Sequence, residues 1–222
     1  MLVNANFDLQ ALVLPSDYCW VASPQADVER VMLDRTGGEK ARATSIVRYA
    51  SGSYFPQHPH PGGEEILVLS GTFSEGEEHY GEGWYLRNPP GSVHQPSSRE
   101  GAVIFVKLWQ MDASETEHVR INTRDESKWL VIDGRSVCPL FSSDRETVCL
   151  QRLTRGEALF PVPASGAEIL VLSGEVQVEG HDVGAGSWLR LPPGSYPELK
   201  AGKNGARIYL KTGHLAEVVG GK

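Results

Sequence analysis

Four side chains in the first half of the chain have the types and spacing to hold a transition metal: His58, His60, Glu64 and His94. Three imidazoles and one carboxylate suit Zn, Fe, Mn, Ni or Cu. His58 and His60 are one residue apart, and on an extended strand residues i and i+2 share a face, so both rings can enter one cavity. Pro61-Gly62-Gly63 is a turn that can return the chain and set Glu64 beside the same cavity. His94 closes the segment Pro89-Pro90-Gly91-Ser92-Val93. An HxH pair alone arises often by chance, so the weight falls on the four residues together. Other candidates are weaker. His79 sits in an acidic stretch, Ser74 to Glu78, that reads as a solvated hairpin tip. His118, His181 and His214 lie in polar segments without partners at ligand spacing. Cys149 as a nucleophile has no supporting His. No phosphate loop, GxSxG elbow or HExxH motif is present.

These residues need a scaffold, and the chain writes its scaffold twice. Gly63-Glu64-Glu65-Ile66-Leu67-Val68-Leu69-Ser70-Gly71 returns as Gly166-Ala167-Glu168-Ile169-Leu170-Val171-Leu172-Ser173-Gly174, an offset of 103 residues. The same offset aligns Gly83 with Gly186, Leu86-Arg87 with Leu189-Arg190, and Pro89-Pro90-Gly91-Ser92 with Pro192-Pro193-Gly194-Ser195. After one inserted residue, the run from Gly101 to Lys107 matches Gly205 to Lys211. Trp20 and Trp129 open the two copies, and the polar segment Gln110 to Lys128 reads as their connection. Within each copy, short runs rich in Val, Ile, Leu, Tyr and Trp alternate with Gly or Pro-Gly turns, which predicts an all-β sandwich or barrel. If Glu64 to Ser70 is a strand, Glu64, Ile66, Val68 and Ser70 face one way and Glu65, Leu67 and Leu69 the other. The expected division is residues 1–112 and 113–222.

The second copy is an internal control. At the positions of His58, His60, Glu64 and His94 it has Pro161, Pro163, Ala167 and Pro197, none of which can ligate a metal through its side chain. Glu65, Gly71 and Arg87 survive as Glu168, Gly174 and Arg190. Shared residues are therefore scaffold, and Glu64 rather than Glu65 is the expected ligand. The second copy is expected to serve as a packing partner.

The spacing resembles the cupin motifs. Gly52-(five)-His58-x-His60-(three)-Glu64-(six)-Gly71 is similar to the first, and Gly83-(five)-Pro89-x-Gly91-(two)-His94 to the second, with Ser98 where an Asn usually stands. The resemblance implies a fold of two tandem small antiparallel barrels, and one divalent transition metal on His58, His60, Glu64 and His94. Zn is the first choice, with Fe, Mn or Ni as alternatives. The stretches HPHPGGEEILVLSGTF and GEGWYLRNPPGSVHQPSS are similar to the cupin domain of ChrR-type anti-sigma factors, over about residues 20–109 and, degenerate, over 129–213. That family binds a sigma factor through a helical zinc domain, and its cupin acts in release of sigma under oxidative stress. Here the cupin unit begins almost at once and no HxxxCxxC pattern is found. A sigma factor is thus a partner by likeness only, and a small molecule or oxidant is the expected effector.

Two uses of the site follow: a sensor or binding module in oxidative-stress-linked transcription regulation, or a metal-dependent small-molecule dioxygenase or isomerase. The sensor is the first expectation. A net charge of -7 with no basic stripe argues against nucleic acid. No secretory signal and no apolar run of about 20 residues is visible, so a cytoplasmic protein without a membrane span is expected. Cys19, Cys138 and Cys149 form no CxxC pair and read as free thiols. A homodimer is compatible with the sequence.

Overall fold

Runs of apolar residues between glycine turns become strands throughout. Two single 3-10 turns interrupt them, and there is no α-helix among the described residues. The structure, a computed structural model, describes residues 1–216. Among the described residues, Met1–Ala5 and Cys19–Arg124 form one unit, and Asn6–Tyr18 with residues 125–216 forms the other. The expected division at 112/113 differs from these units at two places. Residues 6–18 belong to the second unit, and residues 113–124 to the first.

In the first unit the main path of antiparallel strands runs Val119–Asn122, Trp84–Asn88, Glu64–Glu75, Ala102–Leu108, Ala43–Tyr49, Val28–Arg35, Val21–Ala22. A separate ribbon pairs His58–His60 with Ser92–His94. The alternation read from the sequence holds from Glu64 to Val68, with Ile66 and Val68 pointing into a core shared with Val28, Phe73, Leu86, Ile104 and Val106, but a register shift between Val103 and Ile104 then sets Ser70, opposite Val103, on the other face. Each fully buried side chain of this kind contributes about 1.5–3 kcal/mol. On the other face Glu65 meets the fully buried Arg87 at 3.1 Å, and Glu115 meets the same guanidinium at 2.7 Å.

The second unit repeats the pattern with Arg135–Ser142, Thr147–Leu153, Lys200–Thr212, Ala164–Val178 and Trp188–Gly194, around Val137, Ile169, Val171, Leu189, Leu191 and Ile208. Gly71 and Gly174 recur for a steric reason. Both have positive φ (71° and 73°), and a Cβ on either would lie 2.1 or 2.2 Å from the carbonyl oxygen of Gly101 or Gly205. The opening tryptophans also share one role, since Arg48 stacks over Trp20 at 4.2 Å and Arg152 over Trp129 at 3.8 Å.

The leading strands of the two copies are exchanged. Ala11–Val13 pairs with Trp188–Gly194 in the second unit, placing Leu12 opposite Leu189. Val119–Asn122, from the segment expected to be a connection, pairs with Trp84–Asn88 in the first unit, placing Arg120 opposite Leu86. Leu86 and Leu189 are equivalent positions, so each copy's first strand completes the other unit.

Candidate metal centre

The ribbon brings three of the four expected residues together. In its antiparallel register His94 lies directly opposite His58, and His60 opposite Ser92. The bond from the Gly63 amide to the His60 carbonyl, 3.0 Å, closes the turn that starts the Glu64 strand. The ligand nitrogens of His58, His60 and His94 lie within 4.8 Å of one another. Glu64 joins them, its Oε2 being 3.6 Å from His60 Nε2 and 3.4 Å from His94 Nε2. Among the described residues, the groups of His, Cys, Asp or Glu close enough to share an ion are in this unit.

Hydrogen bonds decide which nitrogen each ring offers. His58 Nδ1 faces the Pro56 carbonyl at 2.8 Å, and His94 Nδ1 faces a Glu75 carboxylate oxygen at 2.5 Å. Each partner can only accept, so both Nδ1 atoms carry the proton, and in the neutral rings Nε2 is the atom that presents a lone pair. His60 Nε2 stands 2.7 Å from His94 Nε2. Three ring nitrogens and the Glu64 carboxylate converging at these distances form a donor set that fits a metal ion. Charge in the site follows. Burial lowers the His60 pKa, and the neighbouring His94 and His58 add to this against the pull of Glu64. Burial would lower His94 too, but the Glu64 charge and the Glu75 bond reverse it and raise the pKa.

Three residues absent from the sequence expectation hold this arrangement. Burial alone would raise the Glu75 pKa, but its bond and charge interaction with His94, aided by Arg120 and Asn88, keep it below the usual carboxylate range. Asn88 Nδ2 donates to Glu75 at 2.9 Å and to Glu64 at 3.3 Å. Arg120 Nη2 donates to Glu75 at 2.8 Å and to Asn88 Oδ1 at 2.6 Å. The repeat contains the signal for two of them: at the offset of 103, Glu75 and Asn88 become Val178 and Leu191, both in the second core. By strand register Arg120 becomes Leu12. The whole polar network is thus replaced where the ligands are.

The centre opens on a cavity of about 440 Å³. His58, His60 and Glu64 line it together with Tyr49, Phe55, Val47, Ile104, Val106, Leu108 and Trp109. Burial, with the nearby Glu64 and Glu75 charges, pushes the Tyr49 phenol well above its ordinary pKa, so it stays neutral.

The remaining candidates are structural. His79 is exposed and bonds Ser74 Oγ at 2.9 Å. His118 and His181 are exposed. His214, expected in a polar segment, is buried with Nε2 3.3 Å from Glu168. Ser98 is fully buried and donates to the Thr72 carbonyl at 2.7 Å. The three cysteines are free thiols, and burial pushes Cys149 up to about 11, which keeps it a poor nucleophile.

Residues 9–112 match the family described as the ChrR cupin-like domain. The fold matches YlbA from Escherichia coli with a TM-score of 0.68 and 18% identity, over 94% of this chain and 93% of that one. The family match covers the first half of the chain, and the fold of the whole is cupin-like. The chain is also similar to the nickel(II) complex of the bacterial pirin YhhW from Escherichia coli, with a TM-score of 0.64 and 13% identity over 92% and 98% of the two chains. A candidate dioxygenase from Nostoc punctiforme is similar at a TM-score of 0.65 and 14% identity, over 99% of this chain and 85% of that one. At these identities the likeness is one of fold. No curated protein matches this chain in sequence. No helix among the described residues is long and apolar enough to cross a membrane.

Proposed function

We propose that the first unit holds one divalent transition metal on His58, His60, Glu64 and His94, and that a small organic molecule binds and is converted in the cavity beside it. The observation that carries this reading is the cavity of about 440 Å³, lined by His58, His60 and Glu64 on one side and by apolar side chains over much of the rest. That size and lining suit a small-molecule site. When bound, the metal supplies a Lewis acid or redox centre for a chelating diketone or enediol. The chain's own residues do the rest. Glu75 and the Pro56 carbonyl fix the rings so that Nε2 faces the centre. Asn88 steadies Glu64, whose carboxylate is placed to take a proton from a substrate in the cavity. Val47, Ile104, Val106 and Leu108 exclude water, and the neutral Tyr49 phenol is a donor in the wall.

The match of residues 9–112 to the ChrR cupin-like domain favours a second reading. In it the metal would be zinc, held by the same four residues, and a small molecule or oxidant changes the unit's contacts with a regulatory partner such as a sigma factor. Elemental analysis of protein purified without added metal or chelator separates the two. Near one Fe, Mn or Ni per chain supports the enzyme, and oxygen consumption with diketones and enediols is the next measurement. Near one Zn supports the sensor. Wild-type metal content in both His58→Ala and His94→Ala would refute the centre itself.

A further inference from the structure

The cavity wall carries charge that the histidine centre does not use. Arg30 and Arg35 line it, with Glu39 and Lys40. Arg30 is matched: two of its guanidinium nitrogens bond the Glu39 carboxylate at 2.7 and 3.0 Å. Arg35 is not. It is 3% exposed. Its Nη1 donates to the Gly38 carbonyl, its Nε finds no partner, and among the described residues no carboxylate forms an ion pair with it. Burial and the Arg30 charge both disfavour its protonated form, and Glu39 and Asp34 offset this only in part. A buried guanidinium whose charge is only partly offset is costly, and a bound anion lowers the cost.

A bulge aims this side chain. Along Val28–Arg35, Arg30 lies opposite Val47 and Met32 opposite Ser45; the register then shifts, so that Asp34 lies opposite Thr44 and Arg35 opposite Ala43. Residues directly opposite share a face, and Ala43 alternates onto the same face as Ser45, Val47 and Tyr49, which line the cavity. Without the extra residue Asp34 would face inward and Arg35 outward. Bulges re-aim side chains in this way at barrel rims.

The second unit again separates scaffold from chemistry. Arg135–Ser142 has the same register and the same shift, between Pro139 and Phe141, with Val137 opposite Gln151 and Ser142 opposite Thr147. Val137 and Ser142 therefore occupy the places of Arg30 and Arg35. The bulge recurs, and so does the stacked Arg48 as Arg152, but both cavity arginines are missing from the unit that lacks the ligands.

We propose that the molecule taken by this cavity is a small organic acid, whose carboxylate pairs with the free Nε edge of Arg35 while its other end meets the histidine centre. Arg presents two parallel N–H donors on such an edge, which matches a carboxylate. The proposal rests on the reading of the cavity as a ligand site facing a metal.

The test uses the full chain loaded with nickel(II), titrated calorimetrically with acetylacetone bearing an acetate, propionate or butyrate arm, and with the methyl ester of each. At least one acid is expected to bind about tenfold or more tighter than its ester. In Arg35→Gln the acid and ester should bind within about twofold of each other, with ester affinity and nickel content unchanged. Equal affinities of acid and ester for all three arms in the wild type would overturn the proposal, and that comparison needs no variant. An acid preference that survives in Arg35→Gln would overturn it as well. Repeating the titration without nickel separates the two readings. Wild-type acid affinity that is the same with and without metal leaves the Arg35 assignment standing and overturns the metal-facing reading.

Discussion

Replacing Glu75 by glutamine is expected to weaken metal binding by about 10- to 100-fold, or about 1.4–2.7 kcal/mol, although Glu75 is not among the expected ligands. The size of the effect follows from its three partners. Its carboxylate accepts from His94 Nδ1 at 2.5 Å, Asn88 Nδ2 at 2.9 Å and Arg120 Nη2 at 2.8 Å. All three are donors. A glutamine side chain has one acceptor oxygen and an NH2, so in either orientation its nitrogen faces a donor. If the oxygen turns to His94 and Asn88, Arg120 loses its charged partner, a cost of about 1–3 kcal/mol. If it turns to Arg120, the NH2 meets His94 Nδ1 and drives the ring proton to Nε2, where the lone pair is required. Zinc titration in competition with a chromophoric chelator near neutral pH measures the loss, and far-UV circular dichroism checks the fold. Wild-type zinc affinity in Glu75→Gln, alongside lost affinity in His94→Ala, would show that Glu75 does not set the orientation of His94.

Thiol chemistry should distinguish the cysteines: at pH 8 in native protein a thiol reagent is expected to react quickly with the exposed Cys19 alone, and with Cys138 and Cys149 only after denaturation. Burial pushes those two thiols from 9.0 to about 11, so the folded state keeps them protonated where the unfolded state ionises them; stability should fall as pH rises from 9 towards 11, read by denaturant titration across that range. Glu65→Gln leaves the fully buried Arg87 with less counter-charge and should destabilise the first unit by about 3 kcal/mol, measured by urea unfolding. Arg35→Met removes a buried cation without an ion-pair partner, so in ligand-free protein it should stabilise by about 1 kcal/mol, seen as a raised thermal midpoint; a lowered midpoint would assign Arg35 a structural role.

What the sequence revealed depended on whether the signal was local. His58, His60, Glu64 and His94 could be placed in one cavity because strand alternation and a glycine turn are short-range properties, and the structure does bring them together. The strands of both copies could be anticipated from apolar runs between glycines. Glu75 and Asn88 were within reach of the same repeat comparison, since Val178 and Leu191 replace them, but nothing local marks a glutamate in an acidic hairpin as a partner for His94. Arg120 was out of reach. It sits in a polar stretch, and its position depends on which strand edge Val119–Asn122 chooses. Arg35 was hidden for a related reason: simple alternation along Val28–Arg35 points Asp34 inward, and only the shifted pairing reverses that.

The exchange of Ala11–Val13 and Val119–Asn122 bears on how such a chain assembles. A single copy, made alone, could give its leading strand to a barrel only by meeting a second molecule, and closure of both barrels would then depend on concentration, as in a strand-swapped dimer. With the copies joined, each donor strand is tethered to its acceptor, and the trade becomes a first-order step at any dilution. Synthesis imposes an order on it. The first barrel cannot close until Asn122 has left the ribosome, late enough to include Arg120, while the strand needed by the second barrel is among the first residues made and waits for the last. The histidine centre therefore acquires its supporting arginine from the opening of the next copy, and a cut between the copies, however neat in sequence, removes it.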